Sequence, residues 1–112
     1  MRAGQLPERV RFEQRGLDRN GDRLGDWVAD PAFETAAGFT WLRGGETAIN
    51  ARLQGVQPVV VRVRISQLLA TVTTAFRVVD LATGDVFAIR SRILDRRARV
   101  LDFACDTGGT DG

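Results

Sequence analysis

The stretch Val59-Val-Val-Arg-Val-Arg-Ile65 decides the fold of this chain, because apolar and charged residues alternate along it. Branched apolar residues at positions 59, 61, 63 and 65 share one face, whereas Arg62 and Arg64 share the other. Successive side chains of a β-strand point to opposite sides, so this alternation is typical of a strand with one buried face. The same period of two recurs on both sides of this run.

Five further segments have this period and predict strands at residues 8–14, 33–42, 76–80, 86–93 and 99–105. The first has Val10 and Phe12 on its inward face, and Glu13 points outward. The segment 86–93 places Phe87, Ile89, Ser91 and Ile93 on one face. Turn signals separate the strands, the strongest being Asn20-Gly21 in the polar loop 16–25, which predicts an extended hairpin tip. Trp27 follows this loop and is either a core residue or a contact anchor, of which the core is favoured.

The residues 44–55 change period and predict one short helix. Ile49 and Leu53 are four residues apart, Glu46 lies in the first turn, and Gly55 ends the pattern. Residues 66–74 fit either a helical turn or an extended loop, and their three threonines favour the extended loop. The prediction is therefore a mainly β protein, a small antiparallel six-stranded β-barrel or sandwich with one short inserted helix. Residues 1–105 form the single domain, and 106–112 form a flexible acidic and glycine-rich tail.

The residue types that are missing exclude most catalytic chemistry. The 112 residues contain no His and no Tyr, all 16 basic residues are Arg, and Cys105 is the single cysteine. Imidazole bases, lysine Schiff bases and multi-thiolate metal sites are therefore excluded. We expect no enzyme, no cofactor and no bound metal. No apolar run is long enough for a membrane span.

The charge is distributed in blocks of alternating sign. Residues 1–25, 43–64 and 77–99 are net positive, whereas 26–42 and 100–112 are net negative, although the sequence pI is about 9.9. Such blocks favour self-association or docking to a partner, because a dedicated nucleic-acid binder is usually more one-sided.

Two groups of side chains are candidate ligand sites. Oxygen side chains at Asp18, Asn20, Asp22 and Asp26 follow the spacing of a calcium loop, but the pattern fails at its sixth and twelfth positions, so a solvated turn is favoured. Arg62 and Arg64, with Arg90 and Arg92, form a guanidinium patch for phosphate if their strands pair. The alternative is a solvated strand face or ion pairs with acids.

The chain as a whole resembles the head–tail joining (head closure, or stopper) proteins of long-tailed phages and gene transfer agents. The resemblance rests on Met1-Arg-Ala-Gly-Gln-Leu6, Arg9-Val-Arg-Phe12, Asp18 with Asn20-Gly21-Asp22, Trp27, Leu42-Arg-Gly-Gly-Glu46, Ala51-Arg-Leu53, Val61-Arg-Val-Arg64, Phe76-Arg-Val-Val-Asp80 and Val86-Phe-Ala-Ile-Arg90. It covers residues 1–105. Phe87 departs from the family, which often has Tyr there, and Pro7 replaces a polar or basic residue.

This resemblance implies a structural connector that forms a ring in the neck of the particle and closes the head after DNA packaging. Its partners would be other copies of itself, portal or adaptor proteins on the head side, a tail terminator or tail tube on the other, and passing double-stranded DNA. It would reside in the virion neck, and in the host cytoplasm during assembly. The alternative is a free-standing small-barrel nucleic-acid-binding protein, suggested by the pI and the paired arginines.

By analogy with this family, three sets of residues are candidate contact sites. The loop that contacts a partner or the channel comprises Leu17, Asp18, Arg19, Asn20, Asp22, Arg23 and Leu24. The segment between subunits comprises Arg43, Glu46, Asn50 and Arg52. The residues that face DNA are Arg62, Arg64, Arg90 and Arg92.

Overall fold

The computed structural model describes residues 6–42 and 56–107, and within them seven β-strands. In chain order these are β1 (Glu8–Arg15), β2 (Trp27–Val28), β3 (Glu34–Trp41), β4 (Pro58–Arg64), β5 (Arg77–Asp80), β6 (Val86–Asp95) and β7 (Val100–Asp106). Short 3-10 turns lie at Pro31–Phe33 and Leu69–Thr71. Within residues 66–74, the favoured extended loop is therefore wrong at Leu69–Thr71, where a single helical turn forms.

Six of the strands close into an antiparallel barrel. The order is β1-β3-β4-β7-β6-β5, and β5 returns to pair with β1, which completes the ring of hydrogen bonds. The seventh strand, β2, pairs only with the end of β1, where Arg15 lies opposite Trp27. Closure pairs both edges of a sheet and so removes its free edges. The prediction of a mainly β, six-stranded antiparallel barrel is confirmed.

Alternating residues of the six strands fill the interior. Phe12 of β1 packs against Phe103 of β7, with 4.9 Å between the ring centroids, and Val10 belongs to the same core. From β4, Val59, Val61 and Val63 are fully buried, as their pattern predicts. The core also includes residues 69, 72 and 76, so the chain between β4 and β5 covers one opening of the barrel.

One strand departs from its predicted alternation. In β6, Ile89 pairs with Cys105 and Ser91 with Ala104, so Arg90 is an extra residue, a β-bulge. After the bulge the two faces of the strand are exchanged. Ile93, predicted to face inward, lies opposite Asp102 on the outer side and is 65% exposed. The prediction for Ser91 and Ile93 was therefore wrong, because a single inserted residue shifts the phase of a period-two pattern.

Two predicted segments extend beyond the described residues. The short helix predicted over 44–55 lies outside them, and so do residues 108–112 of the predicted tail. The start of that tail is part of the barrel, since Asp106 ends β7 and the Thr107 amide donates to the Gln57 carbonyl at 3.2 Å. Among the described residues, none of the helical segments has the length and apolar character to cross a membrane.

The strand directions give the barrel two distinct ends. At one end, called the loop end, lie the residues after β1, the turn Leu69–Thr71 and the turn that joins β6 to β7. At the opposite end β3 finishes beside the start of β4, where the Leu42 amide donates to the Pro58 carbonyl, and β5 turns into β6. The chain therefore leaves the barrel at Leu42 and is back in it at Pro58, both at this opposite end and away from loop 16–25.

The barrel interior should dominate stability. Leu101→Ala, at a side chain that is 1% exposed, is expected to lower the free energy of unfolding by about 2–5 kcal/mol, because apolar contacts are lost and a cavity remains. The matched control Leu24→Ala, at a side chain 69% exposed, should change it by less than about 0.5 kcal/mol. Urea unfolding followed by tryptophan fluorescence measures both. Equal effects would contradict this assignment of the core.

Candidate functional site

The loop 16–25 is an ordered hairpin extension with its own hydrogen bonds. The Asp18 carboxylate accepts the amides of Asn20 at 2.8 Å and Asp22 at 3.0 Å, so Asp18 closes the turn. Gly21 has a φ of 83°, a conformation that glycine adopts without strain. At the base, the Gly25 amide donates to the Gly16 carbonyl, and a Cβ at Gly25 would lie 3.0 Å from that oxygen. The predicted hairpin tip is confirmed.

A buried carboxylate supports this loop from the outer face of the barrel. Glu13 is 4% exposed, although its position in β1 points away from the core. Arg11 donates to its Oε2 at 2.8 Å, and Arg77 of β5 donates to its Oε1 through Nε at 3.0 Å and Nη2 at 2.8 Å. A carboxylate removed from water requires such charged donors. Glu13 therefore lies on the outer face, as its position in the alternation predicts, and two guanidinium groups cover it.

Trp27 joins the same cluster rather than the core. Its ring faces the Arg77 guanidinium, whose central carbon is 4.4 Å from the ring centroid, and the Arg15 guanidinium at 5.0 Å. A cation over an indole ring is attracted to its negative face. Arg15 also donates to the Gly25 carbonyl at 3.1 Å. Trp27, Arg15 and Arg77 thus attach the base of the loop to the barrel wall.

The predicted arginine patch is divided by β7. The strands β4 and β6 do not pair, because β7 lies between them. Arg62 of β4 binds Asp102 through two hydrogen bonds of 2.8 and 2.9 Å, and Arg90 of β6 binds Asp106 through two of 2.7 and 3.1 Å. These hydrogen bonds raise the pKa of both arginines above the usual value. Two of the four candidate arginines are thus paired with carboxylates of β7.

The other two candidate arginines have different surroundings. Arg64 is exposed at the end of β4, and it has no ion-pair partner within residues 6–42 and 56–107. Arg92 follows the bulge and lies opposite Phe103, so it is on the inner side of β6 rather than beside Arg90. Its Nη1 donates to the carbonyls of Ala70 at 2.7 Å and Val72 at 2.9 Å. Arg92 therefore anchors β6 to the chain that covers the barrel opening.

A surface at the end of β6 was not predicted from the sequence. Residues 90–99 are all exposed, and they form the outer part of the β6–β7 hairpin. Its tip carries Arg96, Arg97 and Arg99 beside Asp95, whose carboxylate accepts the Ala98 amide at 3.0 Å. The run Asp95-Arg-Arg-Ala-Arg99 is the local signal that would have identified this basic tip.

The candidate residues therefore lie at separate places on the barrel. Those of the loop set are at the loop end, and the four arginines are spread over β4 and β6. The segment residues Arg43, Glu46, Asn50 and Arg52 lie outside the described residues. Within the described ranges no three Cys, Asp or Glu side chains are grouped in a way that could hold a metal ion.

Comparison with known proteins identifies the family of this chain. The family described as phage head completion protein matches residues 1–108, and the chain belongs to that family. No protein of curated function matches. Membership confirms the resemblance found in the sequence, supports a structural role in head completion and a virion location, and favours the prediction that the chain is not an enzyme.

Two solved structures share the fold. A chain in the virion of a native gene transfer agent particle superimposes with a TM-score of 0.62 at 20% identity, over 92% of this chain and 94% of that one. The solution structure of protein SF1141 from Shigella flexneri 2a has a TM-score of 0.64 at 19% identity, over 97% and 98%. At such identities the likeness shows a common fold over nearly the whole chain.

Neutralising Glu13 should loosen the base of the loop. Glu13→Gln leaves two guanidinium groups without their buried anion, so we expect the free energy of unfolding to fall by about 1–3 kcal/mol. Urea unfolding measures this change, and amide hydrogen exchange at residues 16–25 should become faster. The control Glu8→Gln, at a half-buried carboxylate on the same strand, should have little effect. An unchanged stability of Glu13→Gln would contradict the supporting role of the cluster.

Cys105 should make stability depend on alkaline pH. Burial raises the pKa of its thiol to about 12, from an ordinary value of 9.0, so the folded state holds this proton more tightly than the unfolded state. Stability is then complete below about pH 9 and falls as pH rises toward 12, by at most about 1.4 kcal/mol per pH unit. Urea unfolding between pH 8 and 11 measures this slope, which Lys and Tyr cannot obscure because the chain has none.

The matched control is Cys105→Val, which keeps an apolar side chain at the site and removes the titration. Its stability should stay level over the same pH range, and an equal slope in both proteins would assign the effect to other groups.

Proposed function

We propose that this protein is a head–tail connector of a phage or gene transfer agent particle. Copies of the chain form a ring in the neck, between portal or adaptor proteins on the head side and a tail terminator or tail tube on the other side. The ring joins head and tail and helps to retain the packaged DNA. The chain is in the host cytoplasm during assembly and in the virion neck afterwards.

The family match over residues 1–108 is the observation that carries this proposal. A chain of a gene transfer agent virion has the same fold over 92% of the present chain, which is consistent with a place in such a particle. The proposal needs no catalytic group. It needs a rigid wall with contact surfaces, and the closed barrel with its ordered loop provides them.

The placement of the candidate contact elements supports a connecting role. Loop 16–25 projects from the loop end, whereas the chain leaves and re-enters the barrel for residues 43–55 at the opposite end. A protein between two partners needs contact elements at both ends, and elements between strands can reorder without opening the barrel. We assign partner or channel contact to the loop and contact between subunits to the segment with Arg43, Glu46, Asn50 and Arg52.

Most of the four candidate arginines already have bonding partners within the chain, which suits a brief contact with DNA. Arg62 and Arg90 have their charge balanced by Asp102 and Asp106, and Arg92 is bonded to two carbonyls, so Arg64 offers the most available charge of the four. Each phosphate contact releases counterions and strengthens binding. A channel that carries DNA should make few such contacts, because many would hold the DNA in place.

The isolated protein should therefore bind DNA weakly. A free-standing nucleic-acid-binding protein would bind duplex DNA with a micromolar or lower Kd at low salt, and would lose affinity by orders of magnitude between about 50 and 200 mM salt. We expect no such binding in fluorescence anisotropy with a labelled duplex. Tight and steeply salt-dependent binding would favour the nucleic-acid-binding alternative.

Removing the gene should interrupt particle assembly at one step. We expect heads that have packaged DNA but neither retain it nor carry tails, as judged by electron microscopy and nuclease protection of DNA. Supplying the chain from a plasmid should restore tailed, DNA-filled particles, and cryo-electron microscopy should place it in the neck. Normal tailed particles in its absence would refute the proposal.

A further inference from the structure

Two exposed apolar patches lie at the loop end of the barrel. The loop patch comprises Leu17 and Leu24 on the two arms of loop 16–25, with Val28 of β2 beside its base; the two leucines are 61% and 69% exposed. The hairpin patch comprises Ile93, which is 65% exposed, and Leu94 near the tip of the β6–β7 hairpin. Apolar side chains concentrated on projecting elements are typical of protein contact sites.

The loop patch and the hairpin patch project from different strands at the same end of the barrel. The loop continues from β1, and the hairpin is formed by β6 and β7. In the closed order β1-β3-β4-β7-β6-β5, β6 is two steps from β1 and β7 is three steps from it. The two patches are therefore separate surfaces of one copy, which a head-to-tail contact between copies requires.

The charges around the two patches are equal and opposite. Residues 17–30 carry four Asp and two Arg, a formal charge of −2, whereas residues 93–99 carry one Asp and three Arg, a formal charge of +2. Asp22, Asp26, Arg96 and Arg97 are exposed, and none has an ion-pair partner in the described part of the chain. Charged rims of opposite sign around apolar centres fix the register of a contact and speed its formation.

We propose that the loop patch of one copy binds the hairpin patch of the next copy in the ring. This inference rests on the proposed function and gives loop 16–25 a contact with the neighbouring copy, in addition to the contacts between subunits that were assigned to the segment with Arg43. Ile93 and Leu94 point to the two faces of the hairpin, since one lies opposite Asp102 and the other opposite Leu101, so the hairpin presents apolar surface on both faces. Such a tip fits a partner with apolar side chains better than a phosphate backbone, which offers only charge.

The base of each projecting element is fixed to its barrel. Loop 16–25 is attached by the Glu13, Arg77 and Trp27 cluster, and the hairpin by the hydrogen bonds from Arg92. Elements that are ordered before association lose little conformational freedom when they bind. In a ring built from these contacts, rigid elements would therefore fix the angle between neighbouring barrels.

Crosslinking in assembled particles tests the contact directly. A strain that lacks the gene is complemented with the double variant Leu24→Cys and Ile93→Cys, and purified particles are treated with a short bismaleimide. We expect a ladder of covalent multimers on denaturing gels. Each single variant, and the pair Leu24→Cys with Ala82→Cys in the turn at the opposite end, should give monomer only. DNA-filled, tailed particles in which the double variant remains monomeric would overturn this contact and leave the proposed function standing.

Charge reversal gives a second readout that does not depend on added cysteines. Arg96→Asp with Arg97→Asp should lower the yield of DNA-filled particles by about tenfold or more, since like charges then face each other. Asp22→Arg with Asp26→Arg should do the same, and all four changes together should restore most of the yield. Failure of the combined variant, when each pair alone folds as judged by circular dichroism, would refute the contact. Tight binding of duplex DNA to the basic tip, lost in Arg96→Asp with Arg97→Asp, would also refute it.

Discussion

The closure of the sheet on β1 is the constraint on which the other features depend. This strand pairs with β3 along residues 8–11 and with β5 along residues 10–13, so a single strand completes the barrel. Once it is closed, every inward position must be filled from within, and the buried Val and Phe side chains do so. The outward positions become a fixed frame, in which the distance between two charged groups is set by strand register rather than by side-chain flexibility.

This frame determines which charges remain available. On the wall, Asp102 and Asp106 of β7 are flanked by Arg62 and Arg90, and Glu13 is enclosed by Arg11 and Arg77. Exposed ion pairs contribute little stability, but they remove net charge from the surface that they cover. Of the charged residues without such partners in the described part of the chain, several lie on the loop and the hairpin tip, and others, such as Arg9 and Arg64, lie on the wall. A chain with a pI of about 9.9 thus has part of its wall charge balanced in pairs and carries further exposed charges on its two projections.

The sequence predicted the features that depend on local pattern. Alternation identified six strands and the inward faces of β1, β4 and β7, and Asn20-Gly21 identified the hairpin turn. Features that depend on pairing between distant residues escaped it. Arg62 and Asp102 are 40 positions apart, and Glu13 and Arg77 are 64 apart, so nothing local indicates that they meet. The bulge at Arg90 exchanges the faces of β6, and no residue type at that position indicates a bulge. The position of the candidate loop along the chain could therefore be predicted from the sequence. The ion pairs that determine the charge around it could not.

The bulge also gives β6 two parts that can evolve separately. Residues before Arg90 are constrained by the packed interior, because one added residue would move the inward-facing side chains to the outer face. Residues beyond it face solvent and are held only to β7 and to the carbonyls bound by Arg92. Matched insertions into both arms of this outer hairpin would change its reach by about 3.3 Å per residue without disturbing the barrel. The length of the outer hairpin and the packing of the barrel are therefore independent of each other in this fold.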